Sequence, residues 1–296
     1  MKKINQPRIL IAGAGAMGLV SGYHLALSGA EVTFLVRPHR INQLARPQLL
    51  YSYDDGALNS YHGYGLATDL AQLTPNEYDY ILITLDSAAL RDPAGVTLAE
   101  AVGRIARNTS TRVILGTYGV ELLPWFLSVS GLASDQVTNG VLGIQSHNVG
   151  SAELPLHAPT DADLLARADY AYRHCFPFGF IVDDSAPEVA AQFAALYSVS
   201  GVSLCIVMPA EQMKIFAAPA FAQLAAAGMG GWPQPADIDP ESEFWRLGTA
   251  STLEILGLSI HGQAGQQAKA QTTATSILEF WRTWEQDMLP LGRTRL

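Results

Sequence analysis

Residues 8–40 constrain the chain more than any other stretch. They read RILIAGAGAMGLVSGYHLALSGAEVTFLVRPHR. A short apolar run, residues 9–12, ends in Gly13-Ala14-Gly15-Ala16-Met17-Gly18. An amphipathic segment follows, stops at Ser28-Gly29, and gives way to a second apolar run at residues 32–36. Strand, glycine turn, helix and strand in that order are the opening of a dinucleotide-binding βαβ unit. Gly13 permits the tight turn off the strand, Gly15 lets a pyrophosphate approach the backbone, and Gly18 lets the helix lie close on the sheet. Ala16 and Met17 open the helix, whose free N–H groups face the phosphates.

The end of the second strand bears on which dinucleotide. An acidic residue there suits the ribose 2′-hydroxyl of NAD. This chain has Val36-Arg37-Pro38-His39-Arg40 instead. Arginine suits a 2′-phosphate through charge-assisted contacts, so Arg37 and Arg40 point to NADP(H). The plain alternative is that both are solvated loop charges.

The chain has 296 residues, enough for two domains. No uncharged apolar run reaches the ~18 residues that span a bilayer. A net charge of −9 with no basic stripe argues against nucleic acid as a partner. No His/Cys spacing suits a metal. The histidines show no pairing spacing, and only His147, after a strand near the expected site, is a candidate. Cys175 and Cys205 lie in apolar surroundings and read as inert core thiols, which fits a reducing cytoplasm. Lys2, Lys3 and Arg8 ahead of an apolar stretch mimic a secretory leader, but the ordered glycines and the strand after them argue otherwise.

Further along, residues 51–64 read as short strands and turns. Residues 78–85 are a buried strand closed by Asp86, residues 88–106 a helix, and residues 111–115 a strand closed by Gly116-Thr117-Tyr118-Gly119. In a doubly wound sheet the C-terminal strand ends face the ligand. Topology therefore puts Leu85, Asp86 and Tyr118 at the cofactor. Residues 137–144, 154–157, 178–182 and 202–207 read as further strands, and residues 187–197 as a helix. From residue 210 the pattern turns helical: 210–227, with Pro219 expected to kink or split it, then 241–258, then one long helix over 264–289. In that last segment Ile277, Phe280, Trp281, Trp284 and Met288 make one apolar face, read as core or a dimer seam. The expected fold is α/β: a Rossmann-type domain over residues 1–207, then an all-α domain over 208–296, whose helices resemble those of the 6-phosphogluconate dehydrogenase C-terminal domain. A homodimer is the expected assembly.

Four stretches together resemble the ketopantoate reductase (2-dehydropantoate 2-reductase) family: residues 9–37, 79–87, 113–120 and 211–224. The last holds Lys214 soon after the final strand of the first domain. The resemblance implies an NADPH-dependent reductase of a small 2-keto acid or related carbonyl, with a place in pantothenate biosynthesis. It implies that Lys214 is the catalytic proton donor, and that Tyr118 and Ser276, in the run Ser276-Ile277-Leu278-Glu279, face the substrate. Without it, Lys214 reads as a surface lysine near a helix start. The family usually has lysine where this chain has Asp86, asparagine where it has Tyr118, and asparagine where it has Ala218. A further family glutamate has no match. A carboxylate at 86 disfavours an anionic substrate, which makes a less acidic carbonyl or an imine an expected alternative. Two others remain: a catalytically silent NADP(H)-binding protein, and a β-hydroxyacid dehydrogenase or imine reductase. The last calls for a long interdomain helix near residue ~165.

Overall fold

A computed structural model describes residues 6–151, 160–174, 176–233 and 235–287. The chain forms two compact units, the first ending at Val207 and the second running from Met208.

In the first unit the chain order is β1 (Arg8–Ala12), α1 (Ala16–Leu27), β2 (Glu31–Leu35), α2 (Ile41–Leu44), β3 (Gln48–Ser52), β4 (Leu58–Tyr61), β5 (Gly65–Ala67) and β6 (Tyr80–Ile83). Then come α3 (Ser87–Arg91), α4 (Pro93–Ala106), β7 (Arg112–Leu115), α5 (Leu122–Ser130), β8 (Val137–Leu142) and β9 (Ile144–Asn148). The unit closes with α6 (Ala162–Leu165), β10 (Tyr170–His174), β11 (Phe180–Asp183), α7 (Pro187–Ser198) and β12 (Cys205–Met208).

Two sheets result. The larger has the order β12-β11-β8-β7-β6-β1-β2-β5. From β5 through β8 neighbouring strands pair in parallel, and β11 joins β8 antiparallel. The strand order reverses at β1, between β2 and β6, which makes the crevice beside the end of β1 the switch point. Strands buried on both faces need apolar side chains at every position. In β1, Ile9 and Ile11 join the cluster with Val20, Phe193 and Tyr197, whereas Leu10 and Ala12 join Leu98, Val102 and Phe126 on the other face. The smaller sheet, β4-β3-β10-β9, pairs β3 with β10 in parallel although some 120 residues separate them.

The reading of residues 88–106 as one helix is corrected. The helix breaks at Asp92, because the residue before proline is forced out of the α region. Asp92 then caps α4, its Oδ1 accepting from the Gly95 N–H at 2.8 Å, with Pro93 in the first turn. The strand read at 202–207 forms three residues later, as β12. The strand read at 154–157 and Cys175 lie outside the described residues.

The second unit is helical where described: α8 (Ala210–Met229), α9 (Glu243–Leu256), α10 (Gly262–Gln271) and α11 (Ala274–Asp287). Helix α8 runs through Pro219 without a break. One proline removes one ladder bond, which a twenty-residue, alanine-rich helix absorbs. The long helix read over 264–289 is in fact α10 and α11, divided at Thr272-Thr273. The core here gathers Ala227, Ile238, Trp245, Ile277, Leu278 and Trp281. Phe280 is 50% exposed, so the buried stripe of α11 passes through Leu278 rather than Phe280.

Candidate active site

The glycine turn sits at the C-terminal end of β1, at the switch point. Gly13 has φ +112°, and a Cβ there would lie 2.7 Å from Thr84 Oγ1. A Cβ on Gly18 would lie 2.1 Å from the Gly13 carbonyl oxygen, a backbone atom with nowhere to go. Both positions therefore exclude a side chain. Gly15 is exposed and a Cβ on it would meet nothing within 4 Å, so open space lies beside it. Helix α1 starts there with no side-chain cap on its N–H groups. A concave backbone turn leading into an uncapped helix start is a cradle for a phosphate. The Thr84 hydroxyl stitches β6 to this turn, donating toward the carbonyls of Ala12 and Gly13 at 3.2 Å each.

Arg37 and Arg40 have different surroundings. Arg37 is exposed just past β2. Arg40 is half-buried, and its Nη2 donates to the Ala14 carbonyl at 3.2 Å and to the Tyr170 hydroxyl at 3.0 Å.

The loops after β6 and β7 meet. A Cβ on Gly119 would lie 2.7 Å from Ser87 Cβ, which puts Tyr118-Gly119 beside Asp86-Ser87. Arg91 ties the same loops, donating to the Val120 carbonyl at 2.6 Å. Leu85 is half-buried, with Cδ2 3.5 Å from the position of a Cβ on Gly13. Asp86 is exposed and caps α3, its Oδ1 accepting from the Ala88 and Ala89 N–H groups at 3.0 and 2.7 Å. Tyr118 is half-buried; desolvation, then the nearby Glu121 carboxylate, pushes its hydroxyl pKa upward. Its proton is thereby retained at neutral pH.

The other two predicted residues lie in the helical unit. Lys214 is exposed near the start of α8. Ser276 is occupied in capping α11. Its Oγ accepts from the Thr273 N–H at 2.9 Å, and its own N–H donates to Thr273 Oγ1 at 3.1 Å. That reciprocal pair is a capping box.

The histidines meet across the fold rather than along the sequence. His24 stacks on His174 with ring centroids 5.3 Å apart. His174 Nδ1 lies 2.7 Å from Asp54 Oδ2, and its Nε2 2.9 Å from Ser203 Oγ. These residues are so far apart in sequence that no spacing rule joins them. Asp54, His174 and Ser203 have the order of a hydrolytic triad. Ser203 is only 3% exposed, however, and a Cβ on Gly179 would lie 2.0 Å from its Oγ. No room remains there for an acyl group, so the three form a clasp between loops. His24 is fully buried, which lowers its pKa to about 3, with the His174 charge adding to the effect. His147, whose pKa is lowered by burial, stacks on Tyr53 and hydrogen-bonds its hydroxyl at 3.1 Å. The Cys205 thiol is buried, which pushes its pKa up to about 12 and leaves it unreactive. Among the described residues no group of three His, Cys, Asp or Glu is arranged to hold a metal, and no helix is long and apolar enough to cross a membrane.

With this geometry in place, residues 9–115 match the model of the family described as ketopantoate reductase PanE/ApbA. That segment, about a third of the chain, is similar to a ketopantoate reductase domain. The matched stretch runs from β1 to the end of β7 and contains the glycine turn, Arg37, Arg40, Leu85 and Asp86. Tyr118, Lys214 and Ser276 lie beyond it. Solved structures of similar fold include the 2-dehydropantoate 2-reductase of Geobacter metallireducens GS-15, 18% identical, covering 96% of this chain and 84% of that one at a TM-score of 0.63. The 2-dehydropantoate 2-reductase of Methylococcus capsulatus is 17% identical, with coverages of 97% and 82% and the same TM-score of 0.63. A D-mandelate dehydrogenase solved with NADH and anilino(oxo)acetate is 13% identical, with coverages of 93% and 79% and a TM-score of 0.54. Identities this low establish the fold alone: a Rossmann-type domain followed by helices. A search of curated protein sequences returns no significant match.

Proposed function

We propose that the chain is an NADPH-dependent reductase of a small carbonyl substrate. The family match and the fold support the coarser statement, an oxidoreductase of ketopantoate reductase type using a nicotinamide dinucleotide. The observation that carries the reading is the glycine turn: side chains are excluded at Gly13 and Gly18, and open space lies beside Gly15. The residues present fit a dinucleotide. Backbone N–H groups of Ala16 and Met17 hold the pyrophosphate, and the exposed Arg37 takes the 2′-phosphate. When bound, the nicotinamide supplies the hydride. Asp86 and Tyr118, at the ends of adjacent strands, bound the nicotinamide side, with the neutral Tyr118 hydroxyl as a donor. Lys214 carries on Nζ the proton that the reduced oxygen takes up. The buried, unreactive Cys205 fits the cytoplasm as its compartment.

The substrate is less acidic than ketopantoate in this reading. Asp86 is held as the cap of α3 by two backbone N–H bonds, which supports a carboxylate fixed beyond the end of β6. A fixed negative charge there repels an anionic substrate. The same carboxylate motivates the second reading, a catalytically silent NADP(H) binder. A β-hydroxyacid dehydrogenase type of chain is disfavoured, since residues 170–208 are divided among β10, β11, the twelve-residue α7 and β12, where a long helix would run.

Nicotinamide fluorescence with NADPH, then with NADH, tests the cofactor. NADPH binding at least ten times tighter is expected, and equal affinities would remove the role of Arg37. Ketopantoate, neutral ketones and imines added in turn test the substrate. Steady NADPH oxidation with any of them ends the silent reading. Lys214→Ala should lose about 100-fold or more in kcat and keep NADPH affinity. Unchanged turnover in that variant removes its catalytic role.

A further inference from the structure

The glycine turn is braced from the second sheet. Ala14, between the two turn glycines, is 7% exposed, and its carbonyl accepts from Arg40 Nη2. The same nitrogen donates to the hydroxyl of Tyr170, which is 2% exposed on β10. Arg40 Nε is buried with no partner. The guanidinium is thus turned inward, toward a backbone carbonyl and a core tyrosine, rather than out toward a ligand. A second tie runs in parallel: Ser146 Oγ on β9 donates to Met17 Sδ at 2.9 Å, within the first turn of α1. Strands β9 and β10 are neighbours, so both ties come from the same half of the smaller sheet.

A charged donor on a backbone carbonyl fixes that carbonyl's direction, and with it the peptide plane next in line. That plane also carries the N–H of Gly15, the residue beside the open space described above. We propose that Arg40, anchored by Tyr170, is a positioning residue for the glycine turn. It strengthens the binding of either nicotinamide dinucleotide without distinguishing them and leaves the 2′-phosphate to Arg37. This rests on the dinucleotide reading of the site, and the smaller sheet gains a role as the support of the phosphate turn.

The test uses the full chain as wild type, Arg40→Ala, Tyr170→Phe and Arg37→Ala. Amide hydrogen exchange of residues 13–18 is measured first, without nucleotide, and dissociation constants for NADPH and for NADH follow. In Arg40→Ala, exchange of the turn should quicken about tenfold. Both nucleotides should weaken by a similar factor, about tenfold, which is what losing one charge-assisted bond gives. Their ratio should stay within about twofold of wild type. Tyr170→Phe should move both readouts the same way by less, and it stands in if Arg40→Ala fails to fold. Arg37→Ala should weaken NADPH alone. Loss of NADPH affinity with NADH unchanged in Arg40→Ala overturns the proposal, because Arg40 would then be reading the 2′-phosphate. Unchanged exchange of the turn overturns it as well. A wild type that binds neither nucleotide removes the reductase reading instead, and the exchange measurement still decides whether Arg40 braces the turn.

Discussion

The glycine turn of the first unit and the start of α11 in the second are both helix starts, built by opposite means. At α1 the helix begins with no side-chain cap, and its shape is set by what cannot be there: a side chain at 13 or at 18. At α11 the helix begins with two side chains closed on each other, Thr273 and Ser276. The first leaves its N–H groups without a side-chain cap, and the second supplies its own. An open start is defined by steric exclusion and costs a great deal to alter. A closed start is defined by a pair of hydrogen bonds and is altered cheaply.

The sharpest way to break that contrast is Gly18→Ala. The new methyl would lie 2.1 Å from the Gly13 carbonyl oxygen, so α1 must move off β1. An overpacked backbone contact of this kind costs about 1–3 kcal/mol or more, and dinucleotide affinity should fall about 100-fold or beyond. Thermal melting and NADPH titration check this. Wild-type affinity in the variant would mean that the turn is not the phosphate cradle.

The next largest effect is the acid response of the first unit. His24 is buried and its pKa lies at about 3, below the ordinary 6.5. The unfolded chain therefore binds a proton that the folded chain refuses, and stability falls as pH drops from about 6.5 toward 3. Above pH 7 the residue contributes nothing to the pH slope. Between pH 7 and 5.5 the loss should be about 1 kcal/mol from this residue. Urea midpoints at the two pH values should differ more in wild type than in His24→Gln. Equal differences would exclude His24 as the source.

Legibility in the sequence follows the range of the forces involved. The glycine turn and the strands beside it could be read because each depends on neighbours a few residues away: an apolar run, a glycine, a helix period. The breaks at Asp92-Pro93 and Thr272-Thr273 are local too. They were readable in principle from a residue held extended before proline and from a Thr-x-x-Ser pair, but the longer apolar pattern masks them. The brace on the turn was not readable. Arg40 and Tyr170 are 130 positions apart, and the parallel pairing of β3 with β10 that brings them together has no local signal. The clasp of Asp54, His174 and Ser203 is hidden for the same reason. Of the site residues, those at strand ends follow from topology. Lys214 rests on resemblance, because an exposed lysine at a helix start carries no physical mark of its own.

Ser276→Ala is the smallest of these effects and sharpens the comparison from the other side. The hydroxyl accepts from the Thr273 N–H and lies 3.0 Å from the Thr273 carbonyl, all within one turn. Removing it leaves the Thr273 half of the capping box in place, so the loss should be about 1 kcal/mol or less. The residue is exposed, and water replaces the missing partner. If capping is its whole role, kcat and KM for any reduced substrate stay at wild-type values while the melting temperature drops slightly. A raised KM with an unchanged melting temperature would return Ser276 to the substrate. The start of α11 would then take a ligand, as is proposed for the start of α1.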